Sequence, residues 1–306
     1  RKLSTTGSGS HFAAHFPSFG RSQVAQRLMS AAASSAPVVA AAALTLGEIA
    51  PGRVTLGMAT GDSALWGVGL RPARVSQLRE YIVALRSLMR GEQACWQGAT
   101  FRGRWKAHDP SLAPKVLVAV SGPKVLRAAA QVSDGLIIAM GYAPEDIAHI
   151  ESLIAEACGE VGRDPSELEI WWYTDINFAE DYDTGLAMSL DSTAQWLVMG
   201  GTDGKRIPEG YVPLLKELFA DAHDLDTSYR DDNRGYVLLE RAKRLGVYDW
   251  LIARQSGLCG TPGDVALRLA ELHAQGLEKW CVWRNPGKES LTQYVEHLGE
   301  VCRWGE

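Results

Sequence analysis

From residue 54 onward one unit recurs along the chain: a short apolar run, a loop with glycine, then a stretch with apolar residues at helical spacing. "RVTLGM" (53–58) precedes a helical pattern over 72–90, where Leu78, Tyr81, Ile82, Leu85, Leu88 and Met89 share one face. "KVLVAV" (115–120) precedes a helix over 123–133, and "GLIIAM" (135–140) precedes one over 144–161. "LEIWWYTDI" (168–176) follows, and a helix over 262–275 leads into "KWCVW" (279–283) and a last helix over 289–302. Most of these strands are continuous apolar runs, the pattern of a sheet covered on both faces. Strands that alternate with helices of this length require right-handed crossovers between parallel neighbours. The fold class is therefore α/β, as a (β/α) barrel or an open doubly wound sheet.

Two regions break the rhythm. Residues 177–259 separate consecutive strands and carry helical patterns near 184–199, 213–223, 233–245 and 247–254. A long insertion on the loop side of a strand is where barrels keep lids and specificity elements, and it equally suits a packing subdomain. Residues 1–35 form an atypical N-terminal segment: 1–23 hold no apolar strand and are expected to be a poorly ordered tail. The barrel domain is expected over 36–306.

Composition narrows the partners. The net charge of −5 comes with acids and bases intermixed, so no basic stripe marks a nucleic-acid footprint. Lys124 lies between a proline and a valine and cannot end a phosphate-binding P-loop. Five widely spaced cysteines without a C-x-x-C pair point to reduced thiols in a cytoplasmic protein, and to neither a disulfide framework nor a zinc site. No run is apolar enough for a membrane span; the Ala-rich stretch 31–46 reads on as a helix into Leu44, Leu46 and Ile49. A metal site is not expected.

In parallel α/β structures ligands sit beyond the carboxyl ends of the strands. Those ends are Ala59-Thr60-Gly61-Asp62-Ser63, Ser121-Gly122-Pro123, Gly141-Tyr142, Tyr173-Thr174-Asp175 and Trp283-Arg284-Asn285. In "VSGPKVLRAAA" (120–130) proline suits the first helical turn, glycine admits close approach, and the free amides carry the positive end of the dipole. That is a small anion site, or a plain capped helix start. "ATGDSA" (59–64) offers small groups around a flat ligand with Asp62 as an acid, or a turn capped by Asp62 or Ser63.

The stretches 36–92, 115–141 ("KVLVAVSGPKVLRAAAQVSDGLIIAMG") and 260–283 ("GTPGDVALRLAELHAQGLEKWCVW") resemble the luciferase-like monooxygenase superfamily, closest to its methylenetetrahydromethanopterin reductase branch. The resemblance implies a (β/α)8 TIM barrel with FMN or coenzyme F-420 at the strand ends. It implies a cofactor phosphate near Ser121, Gly122 and Pro123, beside Gly141, and the cofactor ring near Thr60, Gly61, Asp62 and Ser63. Asp62 becomes the expected proton donor or orienter, and Trp172 and Tyr173 the expected substrate-side residues. The activity implied is hydride transfer or monooxygenation of a small organic substrate by a homodimer.

The likeness departs at the N-terminus. Family members begin with strands that carry a catalytic His, Asp or Glu, and "QRLMSAAASS" (26–35) does not resemble the third strand it would replace. His11 and His15 have no matching context. The chain thus reads as an N-terminally truncated or rearranged barrel with five or six of eight strands. A non-catalytic relic that binds cofactor weakly is the alternative to an enzyme. An unrelated phosphate-handling barrel is disfavoured because no lysine stands at a strand end and no His/carboxylate cluster suggests a metal.

Overall fold

A computed structural model describes residues 11–15, 24–30, 34–61, 63–105, 109–190, 194–198, 200–221, 233–255, 257–283 and 290–303. In chain order the strands are β1 (His11–His15), β2 (Val24–Ser30), β3 (Val54–Ala59), β4 (Gln93–Trp96), β5 (Ala99–Arg102), β6 (Lys115–Val120), β7 (Gly135–Ile138), β8 (Glu169–Phe178), β9 (Leu258–Gly260) and β10 (Lys279–Trp283). The helices are α1 (Ala36–Ile49), α2 (Ser63–Trp66), α3 (Val75–Met89), α4 (Pro123–Val132), α5 (Pro144–Gly159), α6 (Tyr182–Ala187), α7 (Tyr211–Leu218), α8 (Arg234–Arg244), α9 (Tyr248–Gln255), α10 (Pro262–Ala274) and α11 (Leu291–Arg303). They fall into two compact units. The first takes the described residues between 20 and 138 and between 152 and 170; the second takes 11–15, 139–151 and those from 171 onward.

In the first unit β2, β3, β6 and β7 lie side by side, all parallel, with Thr55 paired to Lys115 and Leu117 to Gly135. Leu56, Met58, Val116, Val118, Leu136 and Ile138 are buried, as unbroken apolar strands require. Helix α3 covers this sheet with the face read from its periodicity: Leu78, Tyr81, Ile82, Leu85, Leu88 and Met89 are all buried. The amino ends of the strands are tied by charge. Arg86 donates to the Val132 carbonyl at 2.6 Å and to Asp134 at 2.5 Å, while Asp134 accepts from the Val116 amide at 2.8 Å.

In the second unit β8 pairs in parallel with β10 on one side and β9 on the other. The insertion fills 179–257 with α6, α7, α8 and α9 around Leu186, Leu190, Leu215, Leu218, Leu238, Leu239, Val247 and Leu251. It has an apolar core of its own, and Cys259 of β9 belongs to that core.

The N-terminal segment differs from its sequence reading. Residues 11–15 and 24–30 are strands: β1 runs antiparallel to β10, and β2 runs parallel to β3. Neither announces itself by composition. The register of β2 shifts between Gln26 and Met29, and this irregularity interrupts the apolar pattern with Gln26 and Arg27. β1 is five residues of His, Phe and Ala held by backbone pairing. Residues 26–30 of the stretch that does not look like a third strand thus stand beside β3 in parallel pairing, as such a strand would.

Candidate functional site

Two expected stretches come together in the first unit. β3 and β6 are adjacent and parallel, with Met58 opposite Val118, and carrying the register forward brings Thr60-Gly61 alongside Val120-Ser121. The Thr60 carbonyl is held by the Ser30 hydroxyl at 3.0 Å and the Ala73 amide at 2.8 Å. Gly61 has φ +93°, and a Cβ there would lie 2.4 Å from Leu65 Cδ1 and 2.8 Å from Ser30 Oγ. The absence of a side chain at Gly61 is therefore accounted for by the local turn. Asp62 lies outside the described residues, as does the side chain of Ser63, which starts the one-turn α2.

At the end of β6 the backbone is arranged differently. Gly122 caps α4 in an extended conformation (φ −170°, ψ 161°) and supplies no side-chain cap. Pro123 occupies the first turn, no acidic residue lies in that turn, and the Leu126 amide already bonds to the Gly122 carbonyl. The amides of Lys124 and Val125 precede the first possible intrahelical acceptors. Ser121, Gly122 and Pro123 are half-buried. A helix start with no acidic residue in its first turn and no side chain at its cap suits an anion.

Gly141, in the second unit, is another case. It has φ +109°, and a Cβ would meet Asp146 Oδ2 at 3.0 Å and Arg254 Cγ at 3.2 Å. Arg254, with 7% of its side chain exposed, donates to the carbonyls of Arg206 (3.0 Å), Met140 (3.1 Å) and Lys205 (2.7 Å), and faces Asp146 Oδ1 at 3.3 Å. Arg206 approaches the same carboxylate oxygen at 3.3 Å. Burial raises the pKa of Asp146, while Arg254 and Arg206 pull it back. Lys205 donates to the Trp196 carbonyl at 2.6 Å, and burial, helped by Arg254, brings it down to about 8. Two arginine side chains thus flank one buried carboxylate where the sequence shows only a Gly-Tyr turn. The space beside Gly141 is taken by the protein itself.

Trp172 and Tyr173 are both buried and point to opposite faces of β8. Trp172 belongs to an aromatic layer: the Tyr142 ring centroid lies 6.3 Å from it and 5.9 Å from Trp280, its partner in register. Tyr142 donates its hydroxyl to the Tyr173 carbonyl. Tyr173 packs against Trp196 of the insertion at 4.7 Å. β8 also runs on to Phe178, past the expected end at 176, so Asn177 joins Thr174 and Asp175 as a buried polar strand residue. Polar residues breaking an apolar strand were the available signal for them. Among the described residues no group of three or more His, Cys, Asp or Glu could hold a metal ion. All five thiols are free, and burial pushes Cys259 and Cys281 up to about 12, which keeps them protonated and poor nucleophiles. Among the described residues no helix is long and apolar enough to cross a membrane.

The family model for luciferase-like monooxygenases matches residues 27–279, starting inside β2. The chain is 26% identical to a 5,10-methylenetetrahydromethanopterin reductase of Methanolobus tindarius, over 78% of this chain and 70% of that one. It is 32% identical to an F-420-dependent glucose-6-phosphate dehydrogenase of Beutenbergia cavernae, over 60% of this chain and 56% of that one. Among solved structures it is similar to the coenzyme F-420-dependent tetrahydromethanopterin reductase of Methanopyrus kandleri, with TM-score 0.63 and 17% identity, covering 94% of this chain and 84% of that one. With parallel strands and helices alternating in both units, the chain is built on the luciferase-like TIM-barrel fold. It belongs to the luciferase-like monooxygenase family of flavin- and deazaflavin-dependent oxidoreductases.

Proposed function

We propose that this chain binds coenzyme F-420 and serves hydride transfer between that cofactor and a small organic substrate. The observation that carries the reading is the start of α4, where Gly122 caps the helix without a side chain, Pro123 opens it and the first turn holds no acidic residue. F-420 is preferred to FMN because both curated relatives described above are named for a reductase or an F-420-dependent dehydrogenase, not for an oxygenase. When bound, a deazaflavin supplies a two-electron hydride carrier.

The chain's own residues divide the remaining work. Ser121, Gly122 and Pro123 would hold the cofactor phosphate at the helix start, and Thr60, Gly61 and Ser63 would flank the ring at the end of β3. Asp62 would hold or donate a proton at the reacting face. Tyr173 would face the substrate under Trp196, with Trp172 backing it from the opposite side of β8. The reading carries with it a cytoplasmic homodimer that takes small molecules and no nucleic acid, in keeping with a net charge of −5; light scattering of the purified chain checks the dimer.

The test is a fluorescence titration of the folded chain with coenzyme F-420 and, separately, with FMN. Micromolar binding of F-420 with weaker FMN binding is the expected result. Tighter FMN binding overturns the choice of cofactor, and binding of neither overturns the enzyme in favour of a non-catalytic relic.

A further inference from the structure

We propose that Ser30 is a positioning residue for the cofactor ring: through the carbonyl of Thr60 its hydroxyl sets the direction of the Thr60–Gly61 peptide. This inference rests on the oxidoreductase reading, which puts the ring beside Thr60 and Gly61, and adds to it a residue from the neighbouring strand.

Ser30 is the last residue of β2 and pairs with Ala59, the last residue of β3. In a parallel pair such a side chain stands level with the first peptide beyond the neighbouring strand. The Ser30 hydroxyl donates to the Thr60 carbonyl at 3.0 Å. The Ala73 amide donates to the same oxygen at 2.8 Å, so Thr60 is also where the segment 61–72 returns to its own start. Within that segment the buried Leu65 accepts at its carbonyl from the Val68 and Leu70 amides. Gly61 sits between Leu65 and Ser30, whose side chains take the space its Cβ would need.

The second donor is the observation that points beyond packing. The Ala73 amide alone satisfies the Thr60 carbonyl, as an acceptor withdrawn from water requires. A hydroxyl on the other lone pair adds direction more than stability. A peptide unit is planar and trans, so a carbonyl held from two sides fixes the N–H opposite it as well. That N–H belongs to Gly61, which has no side chain to screen it. With φ +93°, Gly61 has the conformational freedom to swing unless something holds its peptide. The hydroxyl thus keeps a backbone donor in one orientation at a strand end of the kind where parallel α/β structures take their ligands.

The test compares Ser30→Ala with Ser30→Thr, which keeps a hydroxyl, in the full chain. Thermal unfolding without ligand is expected to give both variants a Tm close to the parent's, because Ala73 still satisfies the carbonyl. In nitrogen-15 NMR of the apo-protein, the Gly61 amide signal is expected to move in Ser30→Ala and to stay near its parent position in Ser30→Thr. Coenzyme F-420 is expected to bind Ser30→Ala about tenfold more weakly, and Ser30→Thr within about twofold of the parent. A Gly61 signal indifferent to Ser30→Ala overturns the inference. So does unchanged F-420 affinity in Ser30→Ala, or equal weakening in both variants, since the hydroxyl would then orient nothing at the ring. Failure of Ser30→Ala to fold overturns it too, because Ser30 would then serve the fold itself. Absence of F-420 binding in the parent would be a failure of the oxidoreductase reading, while the Gly61 signal of the apo-protein would still decide whether Ser30 orients the peptide.

Discussion

The end of β6 and the end of β7 carry the same device, a glycine where a strand turns toward a helix, and use it in opposite ways. At Gly122 the backbone is extended, the cap has no side chain, and the first turn of α4 holds no acidic residue. At Gly141 the backbone is left-handed and the space a Cβ would take belongs to Asp146 and Arg254. One glycine caps a helix start without a side chain; the other lets the protein pack its own charges against its backbone. A glycine in a strand-to-helix turn is therefore not in itself a cofactor signal. What surrounds it decides.

The contrast can be broken by substitution. The largest effect is expected from Arg254→Met, which strips Asp146 of its buried partner and leaves the carbonyls of Met140, Lys205 and Arg206 without their donor. Loss of one member of a buried pair costs about 3–5 kcal/mol, to be read by urea unfolding. Gly141→Ala comes next. It forces φ +109° on a residue with a Cβ, against neighbours at 3.0 and 3.2 Å, and should cost about 1–3 kcal/mol. Gly122→Ala, in extended backbone, should stay within about 0.5 kcal/mol of the parent in the same assay. Equal costs for the two glycines would erase the distinction drawn here.

A further effect is one of pH. Burial holds Lys205 at about 8 in the folded chain, against 10.5 for an unburied lysine. Between those two values the unfolded chain binds more protons than the folded one, so stability rises with pH across that window. Lys205→Met should flatten the rise, which urea unfolding at several pH values between the two would show.

Much of this was legible in the sequence. The unbroken apolar runs of β3, β6 and β7, and the buried stripe of α3, follow directly from periodicity, because each element buries what its own residues present. β1 and β2 were not, because they are held by backbone pairing that composition does not record. The start of α4 at Pro123 was legible because a helix start is local chemistry. The cluster at Gly141 was not: Met140 and Arg254 are 114 residues apart, and only the folding of the insertion brings them together. Asn177 sat one residue beyond the expected end of its strand, and its missing partner is a property of packing that no spacing reveals.

The central claim, that the start of α4 holds the phosphate of a deazaflavin, is tested most directly by titrating the parent and Gly122→Asp with coenzyme F-420 beside their thermal unfolding. An aspartate is a good helix cap, so the variant should be as stable as the parent, while its carboxylate occupies and repels at the anion site. The account predicts an unchanged or higher Tm with F-420 binding weakened at least about tenfold, or about 1.4 kcal/mol. A stable variant that binds F-420 as the parent does would contradict it.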